Sequence, residues 1–301
     1  MLLLPGIPSL ALLSLLPIQG KVKARHASLH PVGTAIIRIN APKSPEDEKR
    51  KRLSFFLVYP AQKRGKHTPL SKQEGPFPAL VFLHGLGGTG KSPEGLARFL
   101  AARGFLVFLL DGSRFDPERQ KREAKATYEA LLSENTRKGS LLYHRLDPKR
   151  IALGGHSMGG GTTLRVLAEN PGFCAGVLVA PWNGMNFRSP KDPSPKVKEP
   201  CLVITGDEDR ILNWKKNALR IFQHMNNPRG SSLFVLLEEV GHRSVIYQKR
   251  FSLFGTRSKG PAQTSTFPVI AAFLEKTLCN NQRHISEVLK TIPHLKMVQE
   301  K

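Results

Sequence analysis

The chain has 301 residues, of which 40% are hydrophobic and 23% charged, a composition that excludes a disordered polymer and fits a globular protein with one large core. Lys and Arg number 46 against 23 Asp and Glu, a net charge of +23, which favours anionic partners such as nucleic acid, lipid headgroups or acidic polymers. The basic residues are nevertheless spread over several clusters without interleaved aromatics, which argues against a specific nucleic-acid interface and favours solvated surface charge.

The first 27 residues are predicted to lie outside the folded domain. Short apolar stretches at 2–4 and 10–16 are interrupted by prolines and followed by a basic segment at 21–25. This pattern resembles a secretory signal peptide that lacks a basic start and a clean cleavage site; a mis-assigned start codon and an apolar tail on a membrane surface are the alternatives. We therefore expect export to the periplasm or the outside rather than a cytoplasmic location.

Apolar or β-branched runs alternate with helical segments from residue 34 onwards. Strands are predicted at 34–39, 53–59, 79–84, 105–110, 150–155, 174–179, 201–205 and 233–237. Helices are predicted at 92–103, 117–133, 157–169, 213–225 and 262–278. From the third strand on, the runs are almost continuously apolar, which is typical of a parallel sheet covered on both faces.

This order of elements predicts a single α/β domain at 28–280, with a mostly parallel eight-stranded sheet and helices on both faces. A basic tail helix is predicted at 281–301. The connection at 181–200 is too short for a lid domain of several helices. No internal stretch is long and apolar enough to span a bilayer.

The segment Gly155-His156-Ser157-Met158-Gly159 follows the fifth predicted strand and begins a predicted helix. G-x-S-x-G in that position predicts a nucleophile elbow, a turn so sharp that the serine takes a strained backbone and lifts its hydroxyl above the sheet. The flanking positions need glycine because a Cβ there would collide with the neighbouring strand or helix. The strand–turn–helix context makes Ser157 the candidate nucleophile.

Serine chemistry also needs an acid and a base, and the chain offers both in the order serine, acid, histidine. The acid follows the seventh strand, where Asp209 is favoured over Asp207 because G-x-x-D turns its carboxylate toward the top of the sheet. An acidic N-cap for the next helix is the structural alternative. His242 follows the last strand, where a loop histidine can bond both the acid and the serine hydroxyl.

Two backbone N–H groups are the candidate oxyanion donors. One is the N–H of Met158, directly after the nucleophile, and the other belongs to Leu86 in the glycine-rich loop after the third strand. Glycines allow that loop to turn its N–H groups toward the pocket. The alternative is that the loop is a plain turn.

The same loop raises a rival interpretation, because residues 85–92 satisfy the phosphate-binding pattern G-x-x-x-x-G-K-[ST], with Lys91 and Ser92 at its end. An apolar run ending at Asp111 could supply a magnesium ligand. Against this, Pro93 occupies the turn whose amides a nucleotide would use, and a nucleotide site leaves the serine, acid and histidine unexplained. A P-loop NTPase is therefore the alternative, together with a non-catalytic basic protein that binds anionic polymers.

The segment GHSMGGGTTLR at 155–165 resembles the elbow and helix of bacterial cutinases and related polyester hydrolases, in the dienelactone-hydrolase-like group of α/β-hydrolases. The likeness continues at 146–150, at 180–183 and around the acid and the histidine, and it covers roughly 53–273. It implies an α/β-hydrolase fold without a lid domain. It also implies a role for each candidate residue: Ser157 nucleophile, Asp209 acid, His242 base, Met158 and Leu86 oxyanion donors, and Trp182 holding the acyl part.

Packing at the edge of the sheet is the structural alternative for Trp182. Two differences from the cutinases weaken the expectation that the substrate is a polymer. Cutinases usually have tyrosine at the position of Leu86, and Cys279 has no nearby partner for their C-terminal disulfide.

The sequence thus predicts a serine esterase that acts on short-acyl, small-molecule or polymeric esters through an acyl-enzyme. We expect it to need no metal or organic cofactor and to act as a monomer, with an anionic surface partner allowed by its charge.

Overall fold

A computed structural model of the chain describes residues 29–42, 52–72, 75–169, 172–186, 190–226, 230–247 and 262–301. The predicted N-terminal segment at 1–27 lies outside these residues. In the described ranges, no helix has both the length and the apolar character needed to cross a membrane.

Ten strands form one sheet in the order β10-β9-β8-β7-β6-β4-β5-β2-β1-β3. Six neighbours in the middle, from β9 to β5, run parallel, whereas β2 and β10 pair antiparallel with the two outer members of that group. The strands are β1 (Val32–Asn40), β2 (Arg52–Pro60), β3 (Gly65–Lys66), β4 (Phe77–Leu83), β5 (Leu106–Leu110), β6 (Leu146–His156), β7 (Gly176–Val179), β8 (Cys201–Gly206), β9 (Leu233–Leu237) and β10 (Leu295–Glu300).

Helices cover both faces of this sheet and bury its apolar side chains in two separate clusters. One cluster includes residues of α2, α3 and α4, and the other includes residues of α1, α5 and α6. The helices are α1 (Glu94–Ala101), α2 (Pro117–Thr136), α3 (Met158–Leu167), α4 (Arg220–His224), α5 (Phe267–Cys279) and α6 (Gln282–Thr291), with π-helical turns before α4 and α5 at Lys215–Leu219 and Ala262–Thr266.

The expected α/β-hydrolase architecture is confirmed, and all eight predicted strands are present. The predicted strand number is wrong, because the short β3 and the C-terminal β10 extend the sheet to ten. In the described part of the connection between β7 and β8, the 3-10 turn Ser194–Lys196 is the one helical element, in keeping with the expected lack of a lid there.

The tail prediction is half wrong. A helix does begin at Gln282, but it ends at Thr291, just before Ile292-Pro293, where the proline disfavours a helical conformation of the preceding residue. The chain then forms β10, which adds to the open edge of β9. Strand β10 is mostly exposed and only half of its six residues are apolar, so its own sequence is a weak signal for a strand. The open hydrogen-bonding edge of β9 supplies its partner.

Candidate active site

Ser157 lies in the turn between β6 and α3, with φ +56° and ψ −116°. An L-residue is strained in this region and keeps such a conformation only where its surroundings hold it. The Ser157 N–H donates to the Val179 carbonyl at 3.0 Å, and the Ser157 carbonyl accepts from the N–H groups of Trp182 at 3.0 Å and Gly161 at 3.1 Å. Both backbone groups of the serine are therefore fixed, as a nucleophile elbow requires.

Glycines on either side of Ser157 allow the close approach of backbone that this turn needs. A Cβ on Gly155 would lie 2.3 Å from the Gly159 carbonyl oxygen, and one on Gly159 would lie 2.5 Å from the Leu83 carbonyl oxygen. Both contacts are with backbone, which cannot move aside as a side chain can. The elbow thus depends on glycine at both positions for steric reasons.

The structure brings His242 to Asp209. His242 Nδ1 lies 2.7 Å from Asp209 Oδ2, and their side chains are 7% and 0% exposed. The other carboxylate oxygen, Oδ1, accepts from the N–H groups of Ile211 at 3.0 Å and Leu212 at 2.8 Å. With Nδ1–H donating to the carboxylate, the Nε2 lone pair of His242 is left to take a proton from a hydroxyl.

Asp207 has different partners. Its carboxylate accepts from the Glu239 N–H at 2.8 Å and pairs with the Lys296 ammonium at 2.7 Å. Since Lys296 belongs to β10, Asp207 ties the C-terminal strand to the loop after β8. The residue favoured from the sequence is the one that meets the histidine.

Two residues that the sequence analysis did not single out support His242. His156 Nε2–H donates to the His242 carbonyl at 2.9 Å, and the Tyr247 hydroxyl donates to His156 Nδ1 at 3.2 Å. Burial, reinforced by the nearby His242, lowers the pKa of His156 to about 3, and burial raises the pKa of Tyr247 to about 12. His156 is therefore neutral and Tyr247 protonated near pH 7, as both bonds require.

His156 occupies a variable position of G-x-S-x-G, and Tyr247 lies outside the motifs that carry the candidate site residues. The one signal in the sequence that points to them is proximity, because each lies within five residues of a candidate site residue. Their role depends on a contact between residues 91 positions apart, which no local pattern encodes.

Ser157 and His242 line one cleft of about 850 Å³, which also contains Leu86, Ile211 and Ile246. Leu86 is 66% exposed on its wall. The loop that carries Leu86 lies against the elbow, since a Cβ on Gly85 would be 3.2 Å from Ser157 Cβ. The cleft thus joins the predicted nucleophile, base and one oxyanion-donor segment.

The two predicted oxyanion donors have backbone N–H groups available. Met158 is the first residue of α3, so its N–H has no acceptor within the helix. Within the described ranges, the Leu86 N–H donates to no other backbone carbonyl. An alkoxide formed beside Ser157 would find unpaired N–H donors on these two segments.

Trp182 packs beside the elbow and is not among the residues that line the cleft. A Cβ on Gly161 would lie 2.5 Å from the Trp182 ring, so the indole packs against the first turn of α3. The predicted contact with an acyl group therefore stays a prediction, and packing against α3 is what the contacts describe.

The phosphate-loop pattern forms internal contacts instead of an open cradle. The Gly90 N–H donates to Asp111 Oδ1 at 3.1 Å, and the Thr89 N–H donates to Ser92 Oγ at 3.0 Å. Lys91 Nζ lies 5.2 Å from the centre of the Phe56 ring. The Gly90 N–H, the Ser92 hydroxyl and Asp111, which would face phosphate and magnesium, are thus engaged with one another or with the loop itself, which gives the nucleotide alternative no support.

Comparison with known proteins gives independent support for an ester hydrolase family. A family model described as PETase, PET hydrolase-like, matches residues 66–248. Bis(hydroxyethyl) terephthalate hydrolase of Streptomyces coelicolor is 33% identical over 199 residues, which are 62% of this chain and 60% of that protein. Cutinase est2 of Thermobifida alba is 27% identical over 193 residues, 60% of this chain and 61% of that protein.

The chain thus spans about three fifths of the length of these curated relatives. The matched region runs from β3 to the end of the turn that carries His242 and Tyr247. It includes every candidate site residue.

Proposed function

Because the chain belongs to the PET hydrolase-like family, we propose that it hydrolyses carboxylic esters through an acyl-enzyme on Ser157. The observation that carries the proposal is the 2.7 Å bond between His242 and the buried Asp209, in a cleft that His242 shares with the strained Ser157. A nucleophile, a base and an acid that orients the base are the groups that acyl transfer needs.

In the proposed mechanism, His242 Nε2 accepts the Ser157 hydroxyl proton as the serine oxygen attacks the ester carbonyl. The tetrahedral oxyanion accepts hydrogen bonds from the N–H groups of Met158 and Leu86. Asp209 stabilises the imidazolium that forms. His242 then gives its proton to the leaving alcohol, and a water molecule activated by the same histidine releases the acid from Ser157.

We further propose that small esters with short acyl groups are the substrates. The cleft is open, with Leu86 exposed on its wall, and its apolar lining includes Ile211 and Ile246, which is a small area for a long acyl chain. The relative named bis(hydroxyethyl) terephthalate hydrolase makes that small aromatic diester a reasonable first substrate beside simple aliphatic esters.

Export and a monomeric state belong to the same proposal, and the catalytic domain extends past the predicted boundary at 280 because α6 and β10 are part of its core and sheet. Family membership with proteins named cutinases favours an enzyme that meets extracellular esters. Size-exclusion chromatography with light scattering and N-terminal sequencing of the protein from culture medium test these points.

The deciding experiment compares hydrolysis of 4-nitrophenyl acetate, butyrate and palmitate by the wild-type protein, Ser157→Ala and Ser133→Ala. Ser133 lies exposed on α2 and controls for loss of a hydroxyl elsewhere. We expect fast turnover of the two short esters by wild type and Ser133→Ala, and loss of at least about 10³-fold in Ser157→Ala. Equal turnover by wild type and Ser157→Ala would contradict the mechanism.

A further inference from the structure

Among the residues that the structure describes, two positively charged side chains in the cleft beside Ser157 have no carboxylate partner. The charged residues of its lining, other than histidine, are Lys91, Glu94, Arg98 and Arg243. Arg98 is neutralised by Glu94 at 2.7 Å. In the part of the chain that the structure describes, neither Lys91 nor Arg243 forms an ion pair, and both are exposed.

Arg243 is held beside the candidate base. It follows His242 directly, and its guanidinium carbon lies 5.6 Å from the centre of the Tyr247 ring. That ring is itself fixed by the bond from its hydroxyl to His156, the residue before Ser157. The guanidinium is thus attached to the cleft wall through an aromatic contact and remains open to solvent and substrate.

Lys91 approaches from the other side of the nucleophile. It lies in the loop after β4, and Arg243 lies in the turn after β9. In the sheet order β9-β8-β7-β6-β4, the strand β6 that carries Ser157 stands between these two strands. The uncompensated charges therefore come from opposite sides of β6 and border one cleft.

We infer that this cleft selects esters that carry a second, ionised carboxylate, such as half-esters of aromatic dicarboxylic acids. The inference rests on the proposed esterase function and narrows its substrate class. A neutral ester brings no net charge that Lys91 or Arg243 could attract, whereas a carboxylate within a Debye length of both is attracted by each. The Arg243 guanidinium can also accept a carboxylate through paired N–H donors.

The overall charge of +23 offers a competing explanation for any preference for anions. A general field would attract an anionic ester regardless of which lysine or arginine is removed. A cleft that selects carboxylates depends on Lys91 and Arg243 in particular. The matched control is Lys138, an exposed lysine in the turn after α2 that does not line the cleft.

The test uses two esters of equal shape, mono-4-nitrophenyl terephthalate and 4-nitrophenyl 4-methylbenzoate, which differ by a carboxylate in place of a methyl group. The readout is the ratio of their kcat/KM values, divided by the ratio of their hydroxide-catalysed rates. This corrects for intrinsic reactivity, and the ratio does not depend on how much of a variant is folded.

For the wild type we expect a corrected ratio well above 1 that falls as salt is added. Lys91→Met and Arg243→Gln each lower it by about threefold, the range of an exposed ion pair, and the double variant lowers it by about tenfold. Lys138→Met leaves it unchanged.

An unchanged ratio in the double variant, or an equal fall in Lys138→Met, would overturn the selection of carboxylates while leaving the esterase intact. If Ser157→Ala hydrolysed both esters as fast as the wild type, the proposed function itself would fail. Failure of the carboxylate selection and failure of the esterase function would thus be measured on different variants.

Discussion

At the scale of single residues, the site depends on how His242 is fixed. Asp209 holds its ring at Nδ1, and His156 holds its backbone carbonyl. Each contact has its own support, because two backbone N–H groups orient Asp209 and Tyr247 bonds the second nitrogen of His156. The imidazole therefore has one tautomer and one position available before a substrate binds.

Replacing Asp209 by Asn tests the tautomer. The amide N–H₂ would face Nδ1 and move the ring proton to Nε2, where it cannot accept the serine proton, so we expect kcat to fall by about 10⁴-fold with little change in KM. The measurement is steady-state hydrolysis of 4-nitrophenyl butyrate. Asp207→Asn is the matched control, with a much smaller expected loss; a larger loss in Asp207→Asn would show that the wrong aspartate has been assigned.

The buried His156 predicts a dependence of stability on pH. Its pKa is about 3 in the folded protein against 6.5 ordinarily, so between these values the unfolded chain binds more protons. Folding therefore loses stability as pH falls below 6.5, by up to about 1.4 kcal/mol per pH unit from this residue, and the loss is absent above that pH.

His156→Gln keeps an N–H donor and cannot titrate. We expect its free energy of unfolding, measured by urea denaturation at pH 7.5, 6 and 5, to fall less steeply with acid than that of the wild type. His67→Asn, at an exposed position, should keep the wild-type slope. Parallel curves for wild type and His156→Gln would contradict a buried neutral His156.

At the scale of the elements, an element can be predicted from the sequence where its own residues are apolar, and not where a neighbouring strand determines it. The eight predicted strands are apolar runs buried in the sheet, so the residues of each strand are enough to predict it. Strand β10 is mostly exposed, and it is a strand because β9 offers an unpaired edge. The meeting of Asp209 with His242 could be predicted because loops at the carboxyl ends of parallel strands lie together, whereas the contact of His156 with Tyr247 depends on side-chain packing that no spacing specifies.

The register of β10 on β9 can be tested with two single proline substitutions at adjacent positions. Ser232 and Lys301 exchange both backbone hydrogen bonds. Bonded pairs alternate with non-bonded pairs along an antiparallel ladder. Gln299, which lies opposite Phe234, therefore also bonds to β9, and the next residue, Val298, does not. We expect Gln299→Pro to cost about 1–3 kcal/mol, because it leaves a carbonyl of β9 unpaired.

Val298→Pro is the control, since its N–H points away from β9 and an edge strand tolerates proline there. Thermal unfolding followed by circular dichroism gives both values. Equal destabilisation by the two prolines would contradict the described register.

At the scale of the whole molecule, charge is the dominant feature. Lys and Arg exceed Asp and Glu by 46 to 23, so even complete pairing would leave half of the cations without a carboxylate. Some of these charges form ion pairs within the fold; Lys121 and Lys125, for example, both pair with Glu169, at 2.7 and 2.6 Å. The remainder repel one another and oppose the compact state.

We therefore expect the folded protein to be stabilised by salt. Between about 10 and 200 mM sodium chloride, the Debye length falls from about 30 Å to below 10 Å, so the repulsion is screened and Tm should rise. Sodium bromide at matched ionic strength should act equally if screening is the cause. A Tm that falls with either salt would mean that the ion pairs outweigh the repulsion.

The placement of the two tryptophans of this chain has an optical consequence. The backbone N–H of Trp182 donates to the Ser157 carbonyl and its ring packs against Gly161 of α3, so one indole lies beside the turn of the nucleophile, whereas Trp214 lies tilted against Phe234 of β9. Replacing Trp214 by Phe would leave a single emitter next to the serine. Intrinsic fluorescence of that protein would then report events at Ser157 in real time, with natural esters that release no colour.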